Sequence, residues 1–176
     1  MNKIESPDWS DEIRYTVLLN FPEVRDRIAA CAAQAKSRMT AEEFLGLCDT
    51  AFAPVAGVSI KKIATIVHER SGVRTGKTRT ELLPLPGGKI IVGVLCSLSR
   101  NGQNLRKVEQ AEDGCLLEAA LPSDMWSFEG DLLVTVKRNP PGTLVEAVTV
   151  IKGQLFDWGK SNRRLEKLFA DLRNLS

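Results

Sequence analysis

The sequence predicts an α+β fold, with N-terminal helices followed by an antiparallel sheet that grips a long C-terminal helix. Three observations predict it. In the first 72 residues apolar side chains recur at helical spacing, as in Ile60, Ile63, Ala64 and Val67 at i, i+3, i+4 and i+7. After residue 105 the pattern becomes alternation, cleanest where Leu132, Val134 and Val136 interleave with Asp131, Thr135 and Lys137. The helical stripe then returns in Leu165, Leu168, Phe169 and Leu172.

Each element follows from local signals. Pro22, with Glu23 beside it, opens a helix whose buried positions are Val24, Ile28, Cys31 and Ala35. Ile13–Leu19 reads as helix or strand, because Tyr15, Thr16 and Val17 favour strands. Thr40 with Glu43 three residues on is a capping box for a helix carrying Phe44, Leu45, Leu47, Cys48 and Ala51. Pro54 and Gly57 break it, Ser59 caps the next helix and Gly72 ends that one. A basic connection (Arg70, Arg74, Lys77, Arg79) leads into a strand over Thr78–Leu83. After Pro84-Leu85-Pro86-Gly87-Gly88, the spacing of Ile91, Val94, Leu95 and Leu98 predicts a helix ending at Asn101-Gly102. Strands follow at Leu105–Gln110, Cys115–Leu121, Asp131–Arg138 and Leu144–Lys152, punctuated by Asp113-Gly114 and by Asn139-Pro140-Pro141-Gly142. Asp157 is placed to cap the final helix, with Lys160, Arg163, Arg164 and Lys167 on its solvated face. The division is a helical unit over 1–72 and a sheet-containing domain over 73–176.

Composition excludes several function classes. With 43% hydrophobic residues the chain can bury a real core, and a net charge of +2 lacks the positive field of a dedicated nucleic-acid binder. The longest apolar run, Ile90–Leu95, is too short to span a bilayer. The N-terminal residues lack the apolar core of a secretory signal, so the expected location is cytoplasmic. Cys31, Cys48, Cys96 and Cys115 form no C-x-x-C pair, and four reduced, unreactive core thiols are expected. With one histidine, the inventory supports neither a metal site nor a cofactor.

The element order from Thr78 onward is β-α-β-β-β-β-α. Three segments sharpen it: Trp126-Ser127-Phe128-Glu129-Gly130-Asp131 before one strand, Gly142-Thr143 at the start of the next, and Gly153-Gln154-Leu155-Phe156-Asp157-Trp158-Gly159-Lys160 before the last helix. Together they resemble a shortened member of the helix-grip superfamily (START-like, SRPBCC). The resemblance covers about the last hundred residues. It departs from the family in having one helix between the first strands and fewer strands. It implies a sheet closed over the C-terminal helix, with a hydrophobic ligand in the gap.

The remaining motifs weigh against chemistry. Gly76-Lys77-Thr78 ends like a phosphate-binding loop, but only three residues separate Gly72 from Gly76 where that loop needs four. His68 lies on an amphipathic helix with no nucleophile context, so a surface histidine is the plainer reading. Glu42-Glu43 belongs to a cap and Glu112-Asp113 to a turn, while the shared face of Glu118 and Glu146 is open. The protein is therefore expected not to be an enzyme. The expected function is binding of a small hydrophobic or amphipathic ligand between sheet and C-terminal helix. Its lining would be Leu117, Trp126, Val134, Val136, Leu165 and Phe169, with Trp158 at the mouth, although these residues equally suit a filled core. The alternative is a protein–protein interaction module with a solid core, docking through residues 1–72, with a homodimer among its forms.

Overall fold

The computed structural model describes residues 8–36, 39–54, 59–60, 76–123, 129–151 and 159–175. Among these the chain is α+β, with helices first, then a sheet, then a C-terminal helix after the strands. A 3-10 turn (Trp9–Asp11) precedes α1 (Tyr15–Leu18), α2 (Pro22–Ala33), α3 (Ala41–Thr50) and a short strand β1 (Phe52–Pro54). Next come β2 (Thr78–Leu83), α4 (Gly87–Arg100), β3 (Leu105–Gln110), β4 (Gly114–Leu121), β5 (Gly130–Asn139), β6 (Gly142–Ile151) and α5 (Lys160–Arg173). No helix among the described residues is long and apolar enough to cross a membrane. The expected Ser59–Gly72 helix lies outside the described residues beyond Ile60, as do His68, Arg70, Arg74, Trp126, Asp157 and Trp158.

The six strands form one sheet in the order β1-β3-β4-β5-β6-β2. Strands β3 to β6 are a meander of antiparallel neighbours, and β2 joins the far edge antiparallel to β6. At the other edge β1 pairs parallel with β3, which makes the sheet mixed where the sequence predicted it antiparallel throughout. Three residues ending in proline carry no alternation, so tertiary contacts alone define that strand.

This order dictates the place of α4. The connection from β2 to β3 must travel from one side of the sheet nearly to the other, across β6, β5 and β4. Four inter-strand spacings amount to roughly 19 Å, and the fourteen residues of α4 span about 21 Å. The helix thus lies over the sheet, with α2 and α5 packed on it. Between Gly87 and Ser99 only Lys89 is not buried. An all-round apolar helix is what such a layer needs.

Side-chain alternation sorts the two faces of the sheet. Leu117, Leu132, Val134, Val136, Val145 and Ala147 enter the main core with α2, α4 and α5. Leu116, Leu133 and Val150 form a second cluster with Ile60 and Ala111 on the opposite face. Glu118 and Glu146 share that second face, two strands apart and out of register, since Glu118 is opposite Leu133 and Glu146 opposite Thr135.

The main core runs without interruption from Trp9, Tyr15, Ile28 and Phe44 to Leu117, Val136 and Phe169. Tyr15 donates its hydroxyl to the Cys48 carbonyl at 2.9 Å, and its backbone N–H donates to Gln110 Oε1 at 2.7 Å. A boundary at residue 72 therefore falls within a shared interior.

Several local readings are resolved. The Thr40–Glu43 capping box is present with both of its hydrogen bonds. Gly76-Lys77-Thr78 starts an edge strand. A Cβ at Gly76 would sit 2.0 Å from the Thr149 carbonyl oxygen, and Lys77 N–H donates to Thr149 Oγ1. Helix α5 begins at Lys160 with Gly159, at φ 80°, in the N-cap position. Lys160, expected on the solvated face, is buried and donates from Nζ to the Pro122 carbonyl at 2.6 Å. As the first residue of α5, it reaches the carbonyl that follows β4.

Candidate functional site

The residues expected to line a ligand gap are core residues. Leu117, Val134, Val136 and Phe169 have no exposed surface, and Leu165 is 3% exposed. All five belong to one cluster with Ile90, Leu95 and Leu98 of α4, and Arg79 lies over the Phe169 ring at 5.1 Å. The structure therefore brings them together as packed neighbours. Trp126 and Trp158 lie outside the described residues.

A different constellation stands on the other side of α4. A groove of about 290 Å³ lies between α2, α4, the 3-10 turn and the end of α5. One stripe of α4 supplies Lys89, Val92, Gly93, Cys96 and Arg100, at helical spacing. The facing side of α2 supplies Arg27, Ala30 and Cys31, with Trp9 at one end and Asn174 and Leu175 at the other. Two glycines shape it. A Cβ on Gly93 would meet Leu175 Cδ1 at 2.4 Å, so the end of α5 settles directly on α4. A Cβ on Gly88 would come within 3 Å of the carbonyl oxygens of Trp9, Ser10 and Glu12, so the 3-10 turn rests on the start of α4 and holds Trp9 in the groove wall.

Three cations line it, with Lys89 and Arg100 about 16 Å apart along α4. The Arg27 guanidinium lies 5.2 Å from the Trp9 ring centroid, a cation–π contact. Arg100 donates from Nη2 to Cys31 Sγ at 3.2 Å and lies 3.9 Å from Asp171. Asp171 accepts a 2.6 Å hydrogen bond from Ser97 Oγ, which ties α5 to α4 beneath the groove. Lys89 is near enough to Asp8 to help hold that carboxyl below its usual range, after the hydrogen bonds from Ser10.

The two thiols of the groove differ from the other two. Cys48 and Cys115 have no exposed surface, and burial pushes both up to about 12. Cys31 and Cys96 retain 8% and 6% exposure and face each other across the α2–α4 contact. A hydrogen bond from Cys96, then those from Arg100, bring the Cys31 thiol down to about 6 in spite of burial. The same bond, from the side of its donor, pushes Cys96 up. Cys96 Sγ also lies 3.8 Å from the Arg27 carbonyl oxygen.

The sequence held a signal for this site. Arg27 and Cys31 are four residues apart, and so are Cys96 and Arg100, so each thiol has a guanidinium one helical turn away. That the two pairs meet follows only from the packing of α2 on α4. Two further clefts lie among the described residues. One is lined by Asp8, Asp11, Glu12, Ile13, Arg14, Glu112 and Arg138, and the other by the Pro84–Gly87 and Pro140–Thr143 turns with Asp11 and Arg138. Among the described residues no group of three or more His, Cys, Asp or Glu could hold a metal ion. Comparison of the chain with family models, with curated proteins and with solved structures finds no match in any of the three.

Proposed function

We propose that this protein binds a small amphipathic anion, without chemistry on it, in the groove between α2, α4 and the end of α5. The observation that carries this reading is the lining of one concave site by Arg27, Lys89 and Arg100 together with an apolar wall of Trp9, Val92 and Leu175. An apolar body would lie on the wall while a carboxylate or phosphate head meets the guanidinium groups, which suit such planar, oxygen-rich heads. Placing the ligand here moves it from the sheet side of α4, where Leu117, Val134, Val136 and Phe169 are wholly buried, to the opposite side. The order β-α-β-β-β-β-α supports a helix-grip relationship, and four free cysteines support a reducing, cytoplasmic setting. Docking through the N-terminal helices has less support, because Leu82 on β2 is the large hydrophobic exposed among the described residues.

Calorimetric titration with octanoate, octanol and octyltrimethylammonium tests the reading, since the three share a tail and differ in head charge. Octanoate is expected to bind saturably at one site, and the cation not to bind. Arg100→Gln and Lys89→Gln should each weaken octanoate several-fold. Equal binding of all three probes, or octanoate binding untouched by both substitutions, would remove the groove as the ligand site.

A further inference from the structure

We propose that Cys31 and Cys96 form a redox couple, in which a peroxide oxidises Cys31 and Cys96 then closes an intramolecular disulfide between α2 and α4. This stands whether or not the groove also binds an anion.

Four observations carry it. The thiols come from two helices packed on one another, and Cys96 Sγ lies 3.8 Å from the Arg27 carbonyl oxygen, one helical turn before Cys31. Both open on the groove, so a small oxidant reaches them from solvent. Arg100, with Nη2 3.2 Å from Cys31 Sγ, neutralises a thiolate at that position. The other two cysteines have no exposed surface and no cation hydrogen-bonded to sulfur, which leaves them as inert controls within the same chain.

The chemistry balances with hydrogen peroxide as the oxidant. The Cys31 thiolate attacks one peroxide oxygen, the S–O bond forms, the O–O bond breaks, and the departing hydroxide takes a proton from solvent to become water. Cys31 is then a sulfenic acid. Cys96 sulfur attacks the Cys31 sulfur, the S–S bond forms and the S–O bond breaks, and the hydroxide that leaves takes the Cys96 proton as water. Two thiols and one peroxide give one disulfide and two waters. A dithiol reductant reverses the bond by thiol–disulfide exchange. Arg100 is a positioning residue, acting through the ionisation of Cys31.

The experiment exposes the folded full-length chain to equimolar hydrogen peroxide, then alkylates and maps it by mass spectrometry. Wild type should yield a Cys31–Cys96 crosslink that dithiothreitol removes. Cys96→Ser should stop at a dimedone-reactive sulfenic acid on Cys31, and Cys31→Ser should give neither product. In untreated wild type at neutral pH, iodoacetamide should label Cys31 about tenfold or more faster than Cys48 or Cys115. Arg100→Gln should shift the pH profile of that labelling upward, and Arg100→Lys should restore part of it. A Cys31 that labels no faster than Cys48, or wild-type protein that stays folded and forms no Cys31–Cys96 bond, overturns the proposal.

Discussion

Helix α4 has two sides, and they do opposite things with similar residues. On one, Ile90, Ile91, Val94, Leu95 and Leu98 are wholly buried with the sheet and the flanking helices. On the other, Lys89, Val92, Gly93, Cys96 and Arg100 open on a groove that keeps its charges and thiols within reach of solvent. The contrast is sharpest in the cysteines. Cys115 faces the core and burial alone pushes it up, whereas Cys31 accepts a hydrogen bond from Arg100 and Cys96 lies against the Arg27 carbonyl.

The strongest way to break this comparison is to remove the N-terminal helices. A fragment starting at Gly76 would expose the α4 surface against which α2 packs and would lose Ile28, Phe44 and Tyr15 from the shared core. We expect it to show no cooperative denaturant transition, and a sharp transition like that of the full chain would make the sheet domain self-sufficient. Phe169→Ala comes next. With the ring wholly buried, its loss should lower the unfolding free energy by about 3–5 kcal/mol through lost burial and a residual cavity. A much smaller loss, accompanied by saturable binding of an apolar fluorescent probe, would return the ligand to the sheet side of α4.

Gly88→Ala acts on the groove side. The added methyl meets three carbonyl oxygens of the 3-10 turn, and the cost should be about 1–3 kcal/mol. Because Trp9 sits on that turn, octanoate affinity should fall as well, and calorimetry on the folded variant reads it. The last test is in pH. The folded Cys31 value of about 6 lies below the ordinary 9.0, so between these limits the unfolded chain binds more protons and stability rises with pH. Above pH 9 the sign reverses, since Cys96, Cys48 and Cys115 keep in the folded state protons they lose on unfolding. Denaturation midpoints across pH 6–10 should follow that course, and Cys31→Ser should flatten the rising part.

Local signals explain what was legible in the sequence. The Thr40–Glu43 box, the proline at the first turn of α2 and the Asp113-Gly114 turn act within a few residues, so their readings transfer directly to structure. The alternation of β5 and the apolar outer positions of β6 placed both faces of the sheet. What stayed hidden depends on distant partners. Phe52–Pro54 is a strand because β3 offers it a parallel edge, and Lys160 is buried because the Pro122 carbonyl waits for it. The spacing Arg27–Cys31 and Cys96–Arg100 was visible, but the groove exists because α4 crosses the sheet and brings those two turns together.

That crossing has a kinetic consequence. Strands β3 to β6 are neighbours in chain order, so their pairing requires little loop closure. Strand β2, in contrast, pairs Leu83 with Thr143 and Thr78 with Val148, which closes a loop of some sixty residues only after the meander and α4 are in place. The edge of β6 is therefore expected to be covered late, and until then it presents unpaired backbone groups to any other chain. Substitutions in β2, such as Leu83→Ala, are expected to speed unfolding and leave the folding rate nearly unchanged in stopped-flow denaturant jumps. A folding rate that drops in proportion to the stability lost would instead put β2 in the nucleus. During refolding at high concentration, aggregation should begin at that uncovered edge, and added β2 peptide should suppress it.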